Sequence, residues 1–211
     1  MLDSNMQVES TRPRLTAKVL LVLCAMNLID TINGSLLMPY VDKMVATLLS
    51  KGQDDPQVAL WASVLVGSYS LCEVLFSGFW GILSDRVGRR PVLLIGLAGS
   101  AVAPLLFGLS GSLPLALSFR VLDGFFCGNA GVTKTYLGEI IDASNEARAW
   151  GLTQLCYSAG SFIGPALGGL LVEPATWAPE FFAGTFFQTY PFLLPNLVYA
   201  SLAVLAFVVG L

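Results

Sequence analysis

Four ionisable side chains lie well inside long apolar runs of this chain: Asp30, Glu73, Arg120 and Asp123. At the centre of a membrane helix each costs roughly 2.5–3.5 kcal/mol on insertion scales, so the four together forfeit on the order of 10 kcal/mol unless paired, protonated or hydrated. Such residues face a bundle interior or a water-filled path. Asp30 and Glu73 have no basic residue near them in sequence, and a carboxylate without a cation in low dielectric favours its neutral form. Proton coupling requires that behaviour. Arg120 and Asp123 stand three residues apart, the spacing of a local helical ion pair. They either only stabilise packing or let Arg120 tune the carboxylates.

The neighbours of these residues extend the polar faces. Asn27, Asp30, Thr31 and Gly34 recur at i, i+3, i+4 and i+7, which makes one stripe on a helix. Ser70, Glu73 and Ser77 share a second face, and Arg120, Asp123, Gly124, Cys127, Gly128 and Gly131 a third. Asn27, Asp30, Glu73, Arg120 and Asp123 are therefore the candidates for contact with a proton or a solute. Three helices are expected to bring polar or small faces to a common interior.

The elements that must carry these residues follow from composition. Hydrophobic residues make up 55% of the 211 and charged ones 12%, about half the charge of an ordinary soluble domain. A soluble domain of this size could not hide so much apolar surface. Crossing about 30 Å of hydrocarbon takes roughly 20 helical residues, and runs of that order recur at 19–41, 59–83, 91–110, 114–138, 149–172 and 190–211. Helices satisfy their own backbone in lipid, and the ten-residue alternation of a β-barrel does not occur. The expectation is an all-α membrane protein with a polar tail at 1–17 and a six-span bundle over 18–211. The run from Val19 has no A-x-A-like site before a polar loop, so it reads as the first span and not as a cleavable signal.

Basic residues set the direction. Arg12, Arg14 and Lys18 precede span one, Arg86, Arg89 and Arg90 lie between spans two and three, and Arg148 lies between four and five. Lys43 and Lys51 on the other side are offset by Asp42, Asp54 and Asp55. The positive-inside rule places the N-terminus in the cytoplasm. It does not separate a plasma membrane from a vacuolar one. Between Glu173 and Tyr190 the aromatic residues Trp177, Phe181, Phe182, Phe186 and Phe187 fit an interfacial belt, with a substrate-gating loop as the other reading. The last run ends at Leu211 without a polar flank, which reads as a fragment or truncated product of a longer chain.

Several function classes drop out. There is no histidine, and Cys24, Cys72, Cys127 and Cys156 fall in four different apolar runs with no C-x-x-C pair. A metal site has no ligand set, and no disulfide is implied. No nucleophile–base pair or phosphate-binding glycine loop points to an enzyme or to a cofactor. A net charge of −3 is spread thinly and speaks against nucleic acid.

Two further strings bear on motion. Gly81-Ile82-Leu83-Ser84-Asp85-Arg86-Val87-Gly88-Arg89-Arg90 follows span two; its glycines allow a tight turn, and Asp85 with the arginines can lock helix ends through charge-assisted hydrogen bonds. In span five, Gly160, Gly164 and Gly168 form a small-x-x-x-small face beside Pro165 and Gly169. Such a face lets backbones approach closely, and the proline frees a carbonyl and bends the helix. The plain alternative is an ordinary packing seam.

The loop string resembles the loop 2–3 signature of the major facilitator superfamily, G-x-L-a-D-r-x-G-r-[kr], with Ser84 where alanine is usual. Arg120 with Gly124 is similar to that family's R-x-x-q-G element, with Asp123 replacing an uncharged polar residue. Gly160, Gly164-Pro165 and Gly168-Gly169 resemble the glycine–proline pattern of its drug/proton antiporter branch. The resemblance spans about 15–211 and implies one half of a twelve-span transporter, a 3+3 inverted repeat that alternates its access by rocking against a second six-helix half. It implies efflux of a small-molecule substrate in exchange for protons, with Gly81, Asp85, Arg86, Gly88, Arg89 and Arg90 as a cytoplasmic gate latch. Two other readings remain: a proton-independent facilitator or symporter for a sugar, peptide or organic ion, and a non-transporting six-span regulator that binds a partner chain.

Overall fold

A computed structural model describes residues 16–210 apart from Ala143; the tail carrying Arg12 and Arg14 lies outside the described residues, as do the side chain of Val209 and Leu211. All the regular structure among the described residues is helical. The helices are α1 (Ala17–Leu36), α2 (Val41–Leu49), α3 (Pro56–Val87), α4 (Arg89–Gly108), α5 (Leu113–Cys127), α6 (Ala130–Ile140) and α7 (Glu146–Leu171), then three single turns, α8 (Pro174–Trp177), α9 (Pro179–Phe182) and α10 (Phe186–Thr189), and finally α11 (Leu193–Gly210).

The long helices α1, α3 and α4 are long and apolar enough to cross a membrane. Expected span four is divided at Gly128–Asn129 into α5 and α6. Both residues keep right-handed backbone angles, so the chain turns there without leaving the bundle. The indole Nε1 of Trp80 donates to the Phe125 carbonyl at 2.6 Å, satisfying an acceptor next to the break. α7 has the length to cross, but its glycines, serines and Gln154 dilute the apolar run. Span one ends earlier than the apolar run suggests: the chain turns at Leu37–Tyr40, and a separate helix, α2, starts at the run's last residue, Val41.

Local chemistry explains several boundaries. Asp55 caps α3, accepting from the Gln57 amide at 2.8 Å with Pro56 at the first helical position. Gly88 ends α3 with φ +104°, a conformation that strains any residue with a Cβ. Gly81 lies inside α3, so of the two loop glycines only Gly88 makes the turn.

The packing pairs α1 with α7, α3 with α5, and α4 with both α5 and α11; a lesser contact joins α11 to α1. Exchanging spans one, two and three with four, five and six maps this set of contacts onto itself, as a 3+3 inverted repeat demands. The core runs through all six spans, from Leu23 and Ile32 on α1 to Tyr199 and Ala203 on α11. By contrast α3 and α7 leave rows of large apolar residues exposed, Leu71, Val74 and Leu75 on one and Leu155, Phe162 and Leu170 on the other.

Candidate functional site

Asp30 and Glu73 line the same cleft, of about 430 Å³, between α1, α3, α6 and α7. Asn27, Thr31 and Ser35 of α1 face it, with Tyr69 and Ser70 from α3 and Tyr157 and Ser161 from α7. About half of its lining is apolar, from Gly34, Met38, Cys127 and Ala130 and the rings of Tyr69 and Tyr157. A second cavity, of about 280 Å³, shares Asn27, Asp30 and Tyr157 and adds Thr133, Thr153 and Gln154. Asn27 is fixed by donating to the Thr153 carbonyl of α7 at 2.8 Å. The polar stripe of α1 thus reaches the interior with the polar face of α3 opposite.

Arg120 and Asp123 lie elsewhere. They form an ion pair of 2.7 Å whose side chains are 4% and 1% exposed. Asn33 of α1 donates to the other Asp123 oxygen at 2.8 Å. The Arg120 guanidinium stacks over the Tyr69 ring, 4.2 Å from its centroid, an arrangement worth up to about 2 kcal/mol when desolvated. Neither side chain lines the cleft. The structure forms the local ion pair, and among the described residues Arg120 Nε is a buried donor without a hydrogen-bond partner. The expected third polar face divides likewise. Gly124 packs on the Tyr69 backbone and Gly128 on Phe76 and Trp80, while Cys127 reaches the cleft.

Sequence reasoning missed Lys134. It lines both cavities together with Asp30, and it supplies the cation that the two carboxylates lack along the sequence. Four residues from the expected end of span four, it reads as an ordinary lysine reaching toward the membrane surface. The available signal is its i+4 spacing from Ala130 and i+7 from Cys127, which carries the inner face of α5 into α6. Asn33, the buried partner of Asp123, was missed as well.

At the basic end the contacts of Arg89 reach beyond the loop. Arg89 pairs with Asp85 at 2.8 Å, also donates to Ser84 Oγ, and reaches both carboxylate oxygens of Glu139 on α6. One guanidinium therefore ties the α3–α4 corner to the far end of span four. Arg90 donates instead to the Gly210 carbonyl of α11 at 3.3 Å. Arg86 is exposed.

The span-five glycines form a seam with α1. A Cβ on Gly160 would stand 2.8 Å from Thr31 Cβ and 2.9 Å from the Leu28 carbonyl. One on Gly164 would stand 2.8 Å from the Ile32 carbonyl and overlap Ser35 Oγ, and one on Gly168 would overlap the Leu36 carbonyl. Gly169 meets only Pro39, at 3.7 Å, and Pro165 sits within an unbroken α7.

At the opposite end Lys43 pairs with Glu173 at 3.2 Å. The Glu173 amide donates to the Pro191 carbonyl at 2.9 Å, closing the aromatic segment at its base. Within that segment Trp177 packs edge-on against Phe182, and Phe182 against Phe187, while Phe181 is 76% exposed.

The chain is similar to a family of known proteins over almost all its length. It is 37% identical over 193 residues to the Aspergillus fumigatus major facilitator superfamily multidrug transporter mfsB, covering 90% of this chain and 32% of that protein. It is 31% identical over 183 residues to the Aspergillus niger efflux pump azaK, covering 87% of this chain and 37% of the pump. The chain thus spans about a third of the length of these relatives. The human organic anion transporter MFSD10 (TETRAN) superimposes with a TM-score of 0.66 at 21% identity, covering 90% of this chain and 46% of that one, a likeness of fold. The family model matches residues 23–210, and this integral membrane chain belongs to the Major Facilitator Superfamily.

Proposed function

We propose that the chain is the N-terminal six-span half of a secondary transporter that exports a small organic solute in exchange for protons, with Asp30 and Glu73 as the proton- and solute-contacting groups. The observation that carries this is their meeting in one cleft of about 430 Å³ built from four helices. The relatives named as an efflux pump and a multidrug transporter agree with it. A second half would complete the cleft, packing against the apolar faces of α3 and α7. The basic end, with Lys18, Arg86, Arg89 and Arg90, lies in the cytoplasm, where the Arg89 cluster latches α3, α4 and α6 in one of the two access states.

The test is transport by the protein carrying this chain, reconstituted in liposomes with an imposed pH gradient. Asp30→Asn and Glu73→Gln should each abolish gradient-driven flux. Coupling that survives in both variants removes the two carboxylates from the mechanism. Flux indifferent to the gradient in the unaltered protein favours the proton-independent facilitator, and absence of any flux favours the regulator.

A further inference from the structure

Resting on the reading of the cleft as the transport site, we infer that it is a dipolar site, with Lys134 as its cationic pole and Asp30 and Glu73 as its anionic one. It selects a polar solute that carries both a positive and a negative or strongly hydrogen-bond-accepting group.

Three observations carry this. Lys134 lines both cavities in which Asp30 appears, and it faces them from α6 while the carboxylates face them from α1 and α3. A solute lying among these helices meets the ammonium on one wall and the carboxylates on two others. The remaining polar groups are hydroxyls and amides, able to accept or donate to either end of a solute. Finally, the other intramembrane charges are withdrawn. Arg120 and Asp123 neutralise each other in the packing and line neither cavity. The charges that line the two cavities are therefore three side chains, not five. A zwitterion entering the cleft replaces the hydration shell of each of its two charges with a fixed counter-charge, and Met38 with the rings of Tyr69 and Tyr157 takes the apolar body between them.

The rival arrangement has Lys134 only neutralising the carboxylates, so that no cation is presented to a solute. A cysteine placed in the cleft distinguishes the two without knowledge of the solute. Ser161→Cys is introduced into the protein carrying this chain, the background from native cysteines is subtracted, and its modification by an anionic and a cationic methanethiosulfonate is timed. A presented ammonium predicts that Lys134→Met slows the anionic reagent about tenfold relative to the cationic one, while Lys134→Arg restores the ratio. An unchanged ratio in Lys134→Met overturns the assignment.

Protection of the same cysteine then reads the solute class, with one ring system in three charge states: tryptamine, tryptophan and indole-3-acetate. Tryptophan should protect best, and Lys134→Met should erase its advantage over tryptamine. Equal or better protection by tryptamine in the unaltered protein, or none by any of the three, overturns the selection of zwitterions. Neither result touches the gradient-driven flux assay of Asp30→Asn, so this inference and the transport reading fail separately.

Discussion

A buried ion pair is costly to break and weak as a source of stability, and the Arg120–Asp123 pair illustrates both sides. Removing one partner leaves an uncompensated charge among helices, so Asp123→Asn or Arg120→Leu should destabilise the detergent-solubilised protein by about 3–5 kcal/mol, read as a fall in unfolding temperature. The double substitution Arg120→Leu with Asp123→Leu should recover most of that loss, because no charge is left unpaired. Full destabilisation in the double variant would assign the pair a role beyond neutralising itself. The sequence already held this pair as one of two readings, since a spacing of three residues on a helix permits nothing more local. The partners that hold the pair are tertiary: Asn33 occupies the other oxygen of Asp123, and Tyr69 covers the guanidinium. Lys134 shows the opposite limit. The carboxylates that share its cleft come from α1 and α3, and a position near a helix end is as common for a lysine that merely reaches water.

Between helices, the glycine seam gives a graded test. Gly164→Ala and Gly168→Ala place a methyl group against the backbone of α1 and should each cost about 1–3 kcal/mol, as overpacking does. Gly151→Ala meets nothing within 4 Å and should stabilise α7 by up to about 1 kcal/mol through helix propensity. Thermal unfolding of the three variants orders them. Span five was legible as a glycine face from its i+4 spacing, yet its partner was not, because any helix with a matching groove would serve. The expectation that Gly81 shapes the turn failed for a related reason: a glycine in an apolar run is tolerated inside a long helix, and φ alone separates it from Gly88. At the start of α3, the Lys51 ammonium and the Gln57 amide hold the Asp55 carboxyl below the usual carboxylate range, the lysine hydrogen bond being the larger cause. A depressed folded value means that the cap is intact above the unfolded pKa of about 3.9 and is lost as pH falls through the folded one. Faster amide exchange at Gln57 and Val58 below that pH, absent in Asp55→Asn, is the expected signature.

Across the whole molecule, the apolar helices, the polar faces of the first two runs and the family were readable from apolar length and a handful of motifs, while the break in the fourth run was not. The pairing of the runs was not, since apolar faces in lipid do not announce their partners. The orientation argued from the basic loops has a direct check. Gly52→Cys, with open space around its Cβ, should react with an impermeant maleimide on intact cells, and Arg86→Cys only after permeabilisation. The reverse pattern would invert the assignment. The seam between α1 and α7 has one more consequence. Where main chain meets main chain with no room for a methyl group, there is no clearance in which two rods can slide or roll. The first and fifth spans must therefore travel as a single strut, carrying Asp30, Tyr157 and Ser161 with unchanged spacing. Any change in the shape of the cleft has to act through the walls that meet by side chains, those of α3 and α6.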